Sequence, residues 1–555
     1  MCGNSPDVAT SSHPAPQSGS AAAQVDALLR AVTAVALGER EELDRLDAAA
    51  GDGDFGTTLA RGAAALAADP PAGSAVERMR SASRVVTEAM GGSSGPLAGV
   101  ALLRAADALE AYGEDGIGPA TAAKLVRAAI EGIQDFGGGQ RGDKTVLDAL
   151  FPVAEALGSG SADGVAGAAR EAADATSDSQ ARKCRAAYAG ERSAGSPDPG
   201  AVAVAAVAEA LAEEGAPPAW DELATKGGGL TDDGDNDVSR EGFVGDASAF
   251  VHEALEGFAR ANRAMVERLP GSQVIVRADR DQGPGRVAVV SGGGSGHEPL
   301  HAGFVGEGML DAAVPGAVFT SPSPNEVFTA TSAVAAGAGV LYIVKSYTGD
   351  ILNFRLAGEL AAAEDIETET VVVDDDVALE AGSDTERRGT GVTIVVEKVA
   401  GALAAEGAGL ADVAAAARRV VERGRSFGVA LHGAEMELGV GIHGEPGRGP
   451  QPLERADAIA SLLLHPVLAE LEPDPDTPLL VLLSGLGGTP SLELHVLFEH
   501  LGRRLEDRGL TVARVLVGDL ITSLGQPGAA LSIVALDDEL VRLWDAPVRT
   551  AALRR

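Results

Sequence analysis

The chain has 555 residues, enough for roughly two to four separately packed domains. It carries 44 Lys and Arg against 81 Asp and Glu, a formal charge of −37, so neither nucleic-acid phosphates nor an anionic membrane surface is a natural partner. Glycine is abundant at 72 residues while aromatics make up 3%, which predicts cores of small aliphatic side chains and many places where backbone can approach a ligand closely.

Residues 1–22 lack both a charged start and an apolar run and read as a disordered tail, not a signal peptide. Cys2 and Cys184 are the only cysteines. They give no disulfide framework and no zinc cluster, so a cytoplasmic location is expected. Over residues 23–214, stretches such as Gln24 to Leu46 and Ser74 to Met90 repeat apolar positions at three- and four-residue spacing, which predicts an all-helical domain. Residues 215–246 are rich in Gly, Pro and Asp and predict a linker.

Over residues 247–555, short apolar runs ending in glycine-rich turns alternate with helical stretches. That pattern predicts an α/β domain on a mostly parallel sheet, with ligands at the carboxyl ends of strands and a subdivision near residues 423–430. Val327 to Val344 is uncharged and long enough for a short membrane span. Its small residues and its strand-like ending, Gly339-Val-Leu-Tyr-Ile-Val344, predict a buried strand after a helix instead.

Four loops of the helical region carry chemistry. In Leu46-Asp-Ala-Ala-Ala-Gly-Asp-Gly-Asp-Phe-Gly56, Asp47, Asp52 and Asp54 are brought close by intervening glycines, and hard carboxylate oxygens suit Mg²⁺ or Ca²⁺. The competing reading is a loop that ends a helix. Gly91-Gly-Ser-Ser-Gly-Pro-Leu97 opens another helix, where free N–H groups suit phosphate. Gly137-Gly-Gly precedes Gly142-Asp-Lys-Thr145, and Arg182-Lys-Cys-Arg185 precedes Ser193-Ala-Gly-Ser-Pro-Asp-Pro-Gly200. Together these loops predict a nucleotide–Mg²⁺ site. The GDKT string lacks the spacing of a P-loop.

The α/β region offers a different set. Ser291-Gly-Gly-Gly-Ser-Gly-His-Glu-Pro299 follows a strand and ends on His297, Lys345 and Asp350 bracket the loop KSYTGD, and His443 lies in Gly441-Ile-His-Gly-Glu-Pro-Gly447. Titratable groups in glycine-lined loops suit a small polar substrate whose hydroxyl must lose a proton. The competing reading makes each histidine a turn or core residue. His13, His252, His301, His465, His495 and His500 are given no role, His432 stays open, and Asp374-Asp-Asp376 reads as a solvated strand end.

These strings resemble the dihydroxyacetone kinase family over nearly the whole chain. GDGDFGTTLARG, GGSSGPLAG, GDKTVLDAL and RAAYAGERSAGSPDPGA are similar, in order, to its nucleotide-binding part. SGGGSGHEPLHAGFVGEGMLDAAVPGAVFTSPSP, IVKSYTGDILNF, MELGVGIHGEPG, SGLGGTP and LDDELVRLWDAP are similar to its substrate-binding part. The resemblance implies a helical barrel of about eight helices holding ATP through Mg²⁺, followed by an α/β domain that binds a short ketose covalently. By position, it makes Asp47, Asp52 and Asp54 the metal ligands and places Thr57, Thr58, Ser93, Ser94, Gly137, Arg185 and Asp198 near the nucleotide. His443 matches the histidine that captures the ketone as a hemiaminal. His297 and Asp350 match the acid/base pair, and Gly294, Ser295, Gly296, Ser321 and Lys345 line the substrate with them.

The expected activity is ATP-dependent phosphorylation of dihydroxyacetone or a related short ketose by a homodimer joined through the α/β domain. Three departures from the family stand out: the nucleotide part comes first, Phe55 replaces a polar residue, commonly His, and Cys184 replaces a small one. An erythrulose kinase, a non-catalytic ketose or nucleotide sensor, and a lyase side activity that forms a cyclic flavin phosphate are the alternatives.

Overall fold

The computed structural model describes residues 19–51, 53–113, 116–159, 164–183, 185–213, 216–228, 249–279, 285–379, 387–445 and 447–555. The expected tail, up to residue 18, and residues 229–248, which hold the second half of the expected linker, lie outside them.

The N-terminal region is helical. Among the described residues its α-helices run from Ala21–Gly38 to Trp220–Gly227. Ser20 accepts from the Ala23 N–H to start the first. Ser74 and Glu77 cap each other's backbone at the start of Ala75–Ala89, a reciprocal arrangement that satisfies two otherwise unpaired donors. Ala21–Gly38 is long and apolar enough by composition to cross a membrane, but its Val25 and Leu29 pack with Met79, Val86 and Leu109 in the helical core. Small residues permit close approach: a side chain on Gly62 would meet Met90 Sδ at 2.6 Å.

One part of the expected linker is structured. Trp220–Gly227 is a helix with Leu223 buried. Trp220 donates its indole N–H to Asp26 over 3.0 Å, and Arg30 donates to the Pro217 carbonyl over 2.7 Å. Trp220 and Leu223, one turn apart on the same face, dock it, the tryptophan with a polar partner for its N–H.

The C-terminal region is α/β. Its strands are β1 (Val266–Arg268), β2 (Ile275–Arg277), β3 (Ala288–Ser295), β4 (Gly306–Glu307), β5 (Ala312–Val318), β6 (Val340–Lys345), β7 (Thr368–Val373), β8 (Gly424–His432), β9 (Glu435–Leu438), β10 (Pro450–Pro452), β11 (Leu479–Gly485), β12 (Val512–Asp519), β13 (Gly528–Ala535) and β14 (Arg549–Thr550). One sheet has the order β1-β2-β5-β3-β6-β7 and a second the order β10-β9-β8-β13-β11-β12, with β14 and β4 paired separately. In the first sheet β5, β3, β6 and β7 are parallel neighbours, as expected.

The second sheet corrects the expectation of a mostly parallel arrangement. There only β11 and β12 run parallel, and β13 pairs antiparallel with both β8 and β11. One antiparallel pair there has a local cause: Gly433 and Ala434 alone join β8 to β9, and so short a connection can only reverse the chain.

Helices Val392–Ala405 and Leu410–Glu422 lie between the sheets, sharing a core with Val289 of β3 and Leu480 and Leu482 of β11. Val290, on the opposite face of β3, packs with helix residues Val327 and Phe354. Val481 and Leu483 turn toward Ile459 and Leu501. The two-residue alternation along β11 thus builds both of its cores.

Asp375 and Asp376 also differ from the sequence reading. Both are buried. Asp375 accepts from the Thr390 N–H and hydroxyl, from the Val392 N–H and from Ser426, while Asp376 pairs with Arg388. They tie the loop before Val392 to both sheets, which removes them from solvent.

Candidate active site

β3 is buried along its whole length and delivers the glycine loop to the carboxyl edge of the first sheet. A Cβ on Gly294 would stand 2.6 Å from the Thr320 nitrogen, and Gly296 has φ +105°, a backbone region that favours glycine. Ser295 donates its hydroxyl to the Gly316 carbonyl over 2.7 Å, so it braces the loop.

His297 follows. Its Nδ1 lies 2.8 Å from the Thr522 carbonyl, which puts the proton on Nδ1 and leaves Nε2 as an acceptor. Nε2 is buried without a protein partner among the described residues. Burial, with His443 and Lys345 as neighbours, holds His297 well below the usual histidine range.

His443 comes from a different segment, after β9, yet its ring centre is 4.7 Å from that of His297 and 4.4 Å from that of Tyr347. Glu445 grips it twice: Oε1 is 2.9 Å from His443 Nδ1 and Oε2 accepts the His443 N–H over 3.0 Å. Burial alone would raise the Glu445 carboxyl, but His443 and Arg388 outweigh it and hold it well below the carboxylate range.

Lys345 ends β6 fully buried, and Asp350 lies in the first turn of the helix Thr348–Ala363. Lys345 Nζ is 3.7 Å from Asp350 Oδ2. Asp350 Oδ1 is buried and unpartnered among the described residues. Burial lowers Lys345, opposed by Asp350 and Glu397. A side chain on Gly293 would collide with Lys345 Nζ. His297, His443, Lys345, Asp350 and the glycine loop are therefore brought together in one cluster.

In the helical region, Asp47 Oδ2 accepts from the Gly53 and Asp54 N–H groups over 2.9 and 3.2 Å. Asp54 is pushed up to about 6 by burial and by the Asp47 and Asp44 charges, with Arg61 opposing. Such crowding of anions suits a divalent cation. Asp52, Cys184 and the Arg185 side chain lie outside the described residues, and among those described no three ligating groups converge.

Thr57 and Thr58 sit in the first turn of Phe55–Ala68, which Phe55 opens. Thr57 donates to Asp44, a carboxylate the sequence reading had not singled out, and Thr58 accepts from Arg61. Ser93 caps Ser94–Tyr112 with its side chain uncommitted to the helix. Gly137 ends the helix Pro119–Gly137. Asp198 caps Pro199–Ala212 through the Ala201 N–H. Burial and the Asp148 and Asp47 charges push it up to about 7, against that N–H and Lys144. Lys144 of the GDKT string clamps the Ser179, Ser193 and Ser196 carbonyls, which makes it a loop brace.

The two half-sites meet within one chain. Asn353 donates to the Gly92 carbonyl over 3.2 Å, and a Cβ on Gly349 would stand 2.6 Å from Ser321 Oγ and 2.9 Å from the Gly92 carbonyl carbon. Asn325 donates to Glu88 over 2.8 Å. Arg355 donates to the Asp135 carbonyl and lies 4.3 Å over the Phe136 ring. The loop Gly91–Ser94 is thus pressed against the turn that holds Asp350. Behind Lys345 sits a pair that the sequence reading passed over, His301 and Glu397.

A helical region whose Gly-Ser loop packs against the histidine-bearing, glycine-rich loops of an α/β region defines the class. The Dak1 domain model matches residues 256–552 and the DAK2 domain model residues 49–213. The chain belongs to the dihydroxyacetone kinase family. It is 41% identical over 319 residues to the dihydroxyacetone-binding subunit DhaK of a PTS-dependent dihydroxyacetone kinase of Listeria innocua, covering 54% of this chain and 96% of that protein. It is 40% identical over 326 residues to D-erythrulose kinase of Mycolicibacterium smegmatis, covering 56% of each. The crystal structure of the dihydroxyacetone kinase from C. freundii with AMP-PNP and Mg²⁺ matches 56% of this chain and 60% of that one, at 35% identity and a TM-score of 0.52.

Proposed function

We propose that the chain transfers phosphate from ATP to the terminal hydroxyl of dihydroxyacetone or a four-carbon ketose, with the ketose held on His443. The observation that carries this reading is the seam: Asp350, beside the substrate cavity, lies one residue from Gly349, which abuts the Gly91–Ser94 loop of the helical region.

Because Glu445 takes the His443 Nδ1 proton in a hydrogen bond, Nε2 keeps a lone pair for addition to the ketone. The Nε2–C bond forms, the carbonyl π pair moves to oxygen, and that oxygen takes up a proton from solvent. The positive charge on the ring is met by the Glu445 carboxylate. Asp350 Oδ1 accepts the proton of the terminal hydroxyl, and His297 Nε2 is the second proton-handling atom. Asp47, Asp52 and Asp54 would hold Mg²⁺, which when bound neutralises phosphate charge. Thr57, Thr58, Ser93, Ser94, Gly137, Arg185 and Asp198 surround the nucleotide in this reading. Gly294, Ser295, Gly296, Ser321 and Lys345 shape the ketose cavity.

Closure of the helices into an eight-helix barrel and homodimerisation through the α/β region belong to the same proposal; sedimentation measures the second. The decisive experiment is turnover of three- to five-carbon ketoses with ATP and Mg²⁺ alone. Phosphorylation is expected, and a strict need for added phosphocarrier proteins overturns the proposal.

A further inference from the structure

The helix Val392–Ala405 is buried on every side between the two sheets, yet it carries Glu397, with no exposed surface at all. A carboxyl in such a place is costly unless something specific engages it. Glu397 Oε1 lies 2.6 Å from His301 Nδ1. Ser291 Oγ is 3.0 Å from the same nitrogen and donates its own proton to the Ile343 carbonyl. On the other side of the ring, Nε2 lies 2.8 Å from Lys345 Nζ. An ammonium has only donors, so with Lys345 charged Nε2 accepts and the ring proton sits on Nδ1, aimed at Glu397. Lys345 in turn faces Asp350 Oδ2. One line of groups runs from the cavity to the interior: Asp350, Lys345, His301, Glu397.

The same distances suit a second arrangement, in which Glu397 is protonated and donates to Nδ1 while Nε2–H donates to a neutral Lys345. Every hydrogen bond is kept. The other charged and titratable groups around this line are His297, beside Lys345, and His443 and Glu445, next to His297. Burial raises Glu397, with Ser291 and Lys345 opposing, and lowers Lys345, which brings the proton affinities of the two ends together.

We propose that His301 and Glu397 form a buried proton relay that passes a proton from Lys345 Nζ to Glu397 Oε1 when Asp350 becomes protonated. In the step, Nζ loses a proton to Nε2 and Nδ1 gives its own to Oε1; no other bond changes. Lys345 is charged while Asp350 is a carboxylate and neutral once Asp350 carries the ketose proton, so no uncompensated ammonium is left buried. This rests on the reading that Asp350 is the base.

Glu397→Gln keeps an acceptor for His301 Nδ1–H but cannot take the proton. His301→Gln spans the same gap and cannot pass one. Steady-state kinetics with dihydroxyacetone and MgATP across pH, alongside thermal melts, test both. With Lys345 locked as an ammonium, Asp350 becomes a weaker base. We expect kcat to fall about tenfold and the acid limb of kcat to move about one unit lower, one unit corresponding to a factor of ten, with little change in ketose KM. Either folded variant with the wild-type kcat and acid limb overturns the relay; if one fails to fold, the other decides. Failure of the wild type to phosphorylate any ketose overturns the functional reading instead. The relay is then judged by ¹⁵N-histidine NMR, where a His301 ring protonated on Nε2 at neutral pH overturns it and one protonated on Nδ1 supports it.

Discussion

Replacing Glu445 with Gln isolates what the second carboxylate of the cavity does. Its two oxygens serve two donors of one residue, His443 Nδ1–H and N–H. An amide offers one acceptor, so in either orientation an NH₂ group faces a donor. Leaving one buried donor unsatisfied costs about 1–3 kcal/mol, and losing a charge-assisted bond to the ring about 1.5–3 kcal/mol. If the second loss falls on the transition state for ketone addition, kcat/KM drops about 10- to 150-fold. The assay is ADP release with dihydroxyacetone and MgATP. Melting against pH gives an independent sign. The folded Glu445 carboxyl is depressed from about 4.5, so its stabilisation is present above that pH and is lost as pH falls below it. The wild-type melting temperature should therefore fall more steeply in acid than that of the Gln variant. A kcat/KM within about twofold of wild type would refute the role given to Glu445.

Mixing His443→Ala with Asp47→Ala should recover no activity, because the seam joins both half-sites in one chain; recovery of about a quarter of the wild-type rate would show transfer across a symmetric dimer. Arg355→Ala removes the Asp135 and Phe136 contacts and should lower kcat severalfold with ketose KM unchanged, read by steady-state kinetics. In Gly293→Ala the new methyl group collides with Lys345 Nζ and comes within 3.4 Å of Asp350 Oδ2. Overpacking of about 1–3 kcal/mol should lower the melting temperature by several degrees, together with a large loss of kcat/KM.

The division into a helical and an α/β region was legible because apolar period differs between them, and the loops because glycine marks where backbone must crowd. Connectivity was harder. Apolar runs ending in glycine turns predict strands without showing which run antiparallel; the pairing of β8 with β13 is set by partners about a hundred positions apart. His301 escaped notice because its four-residue spacing from His297 mimics one helical turn, whereas the backbone there forms turns and a short 3-10 segment beginning at Ala302. Glu397 had a readable signal: adjacent Glu and Lys inside the apolar stretch Val392 to Ala405. Only the packing of a sheet on each side shows that this face meets no water.

The inverted domain order places few demands on this chemistry. The DhaK subunit of Listeria innocua matches this chain over 96% of its own length without the helical part, so the ketose-binding unit exists in that family as a separate polypeptide. What a fused chain must preserve is the surface where the halves touch, not the peptide that joins them. Here that surface is built from Asn325, Asn353 and Arg355 on helices packed against the first sheet, and from Glu88, Gly92 and Asp135 at helix ends. Every one of these contacts uses a backbone carbonyl or a single side-chain pair. Such a seam is polar, as contacts between domains of one chain commonly are, and it sets Gly92 against Gly349, which the proposed transfer requires in either domain order.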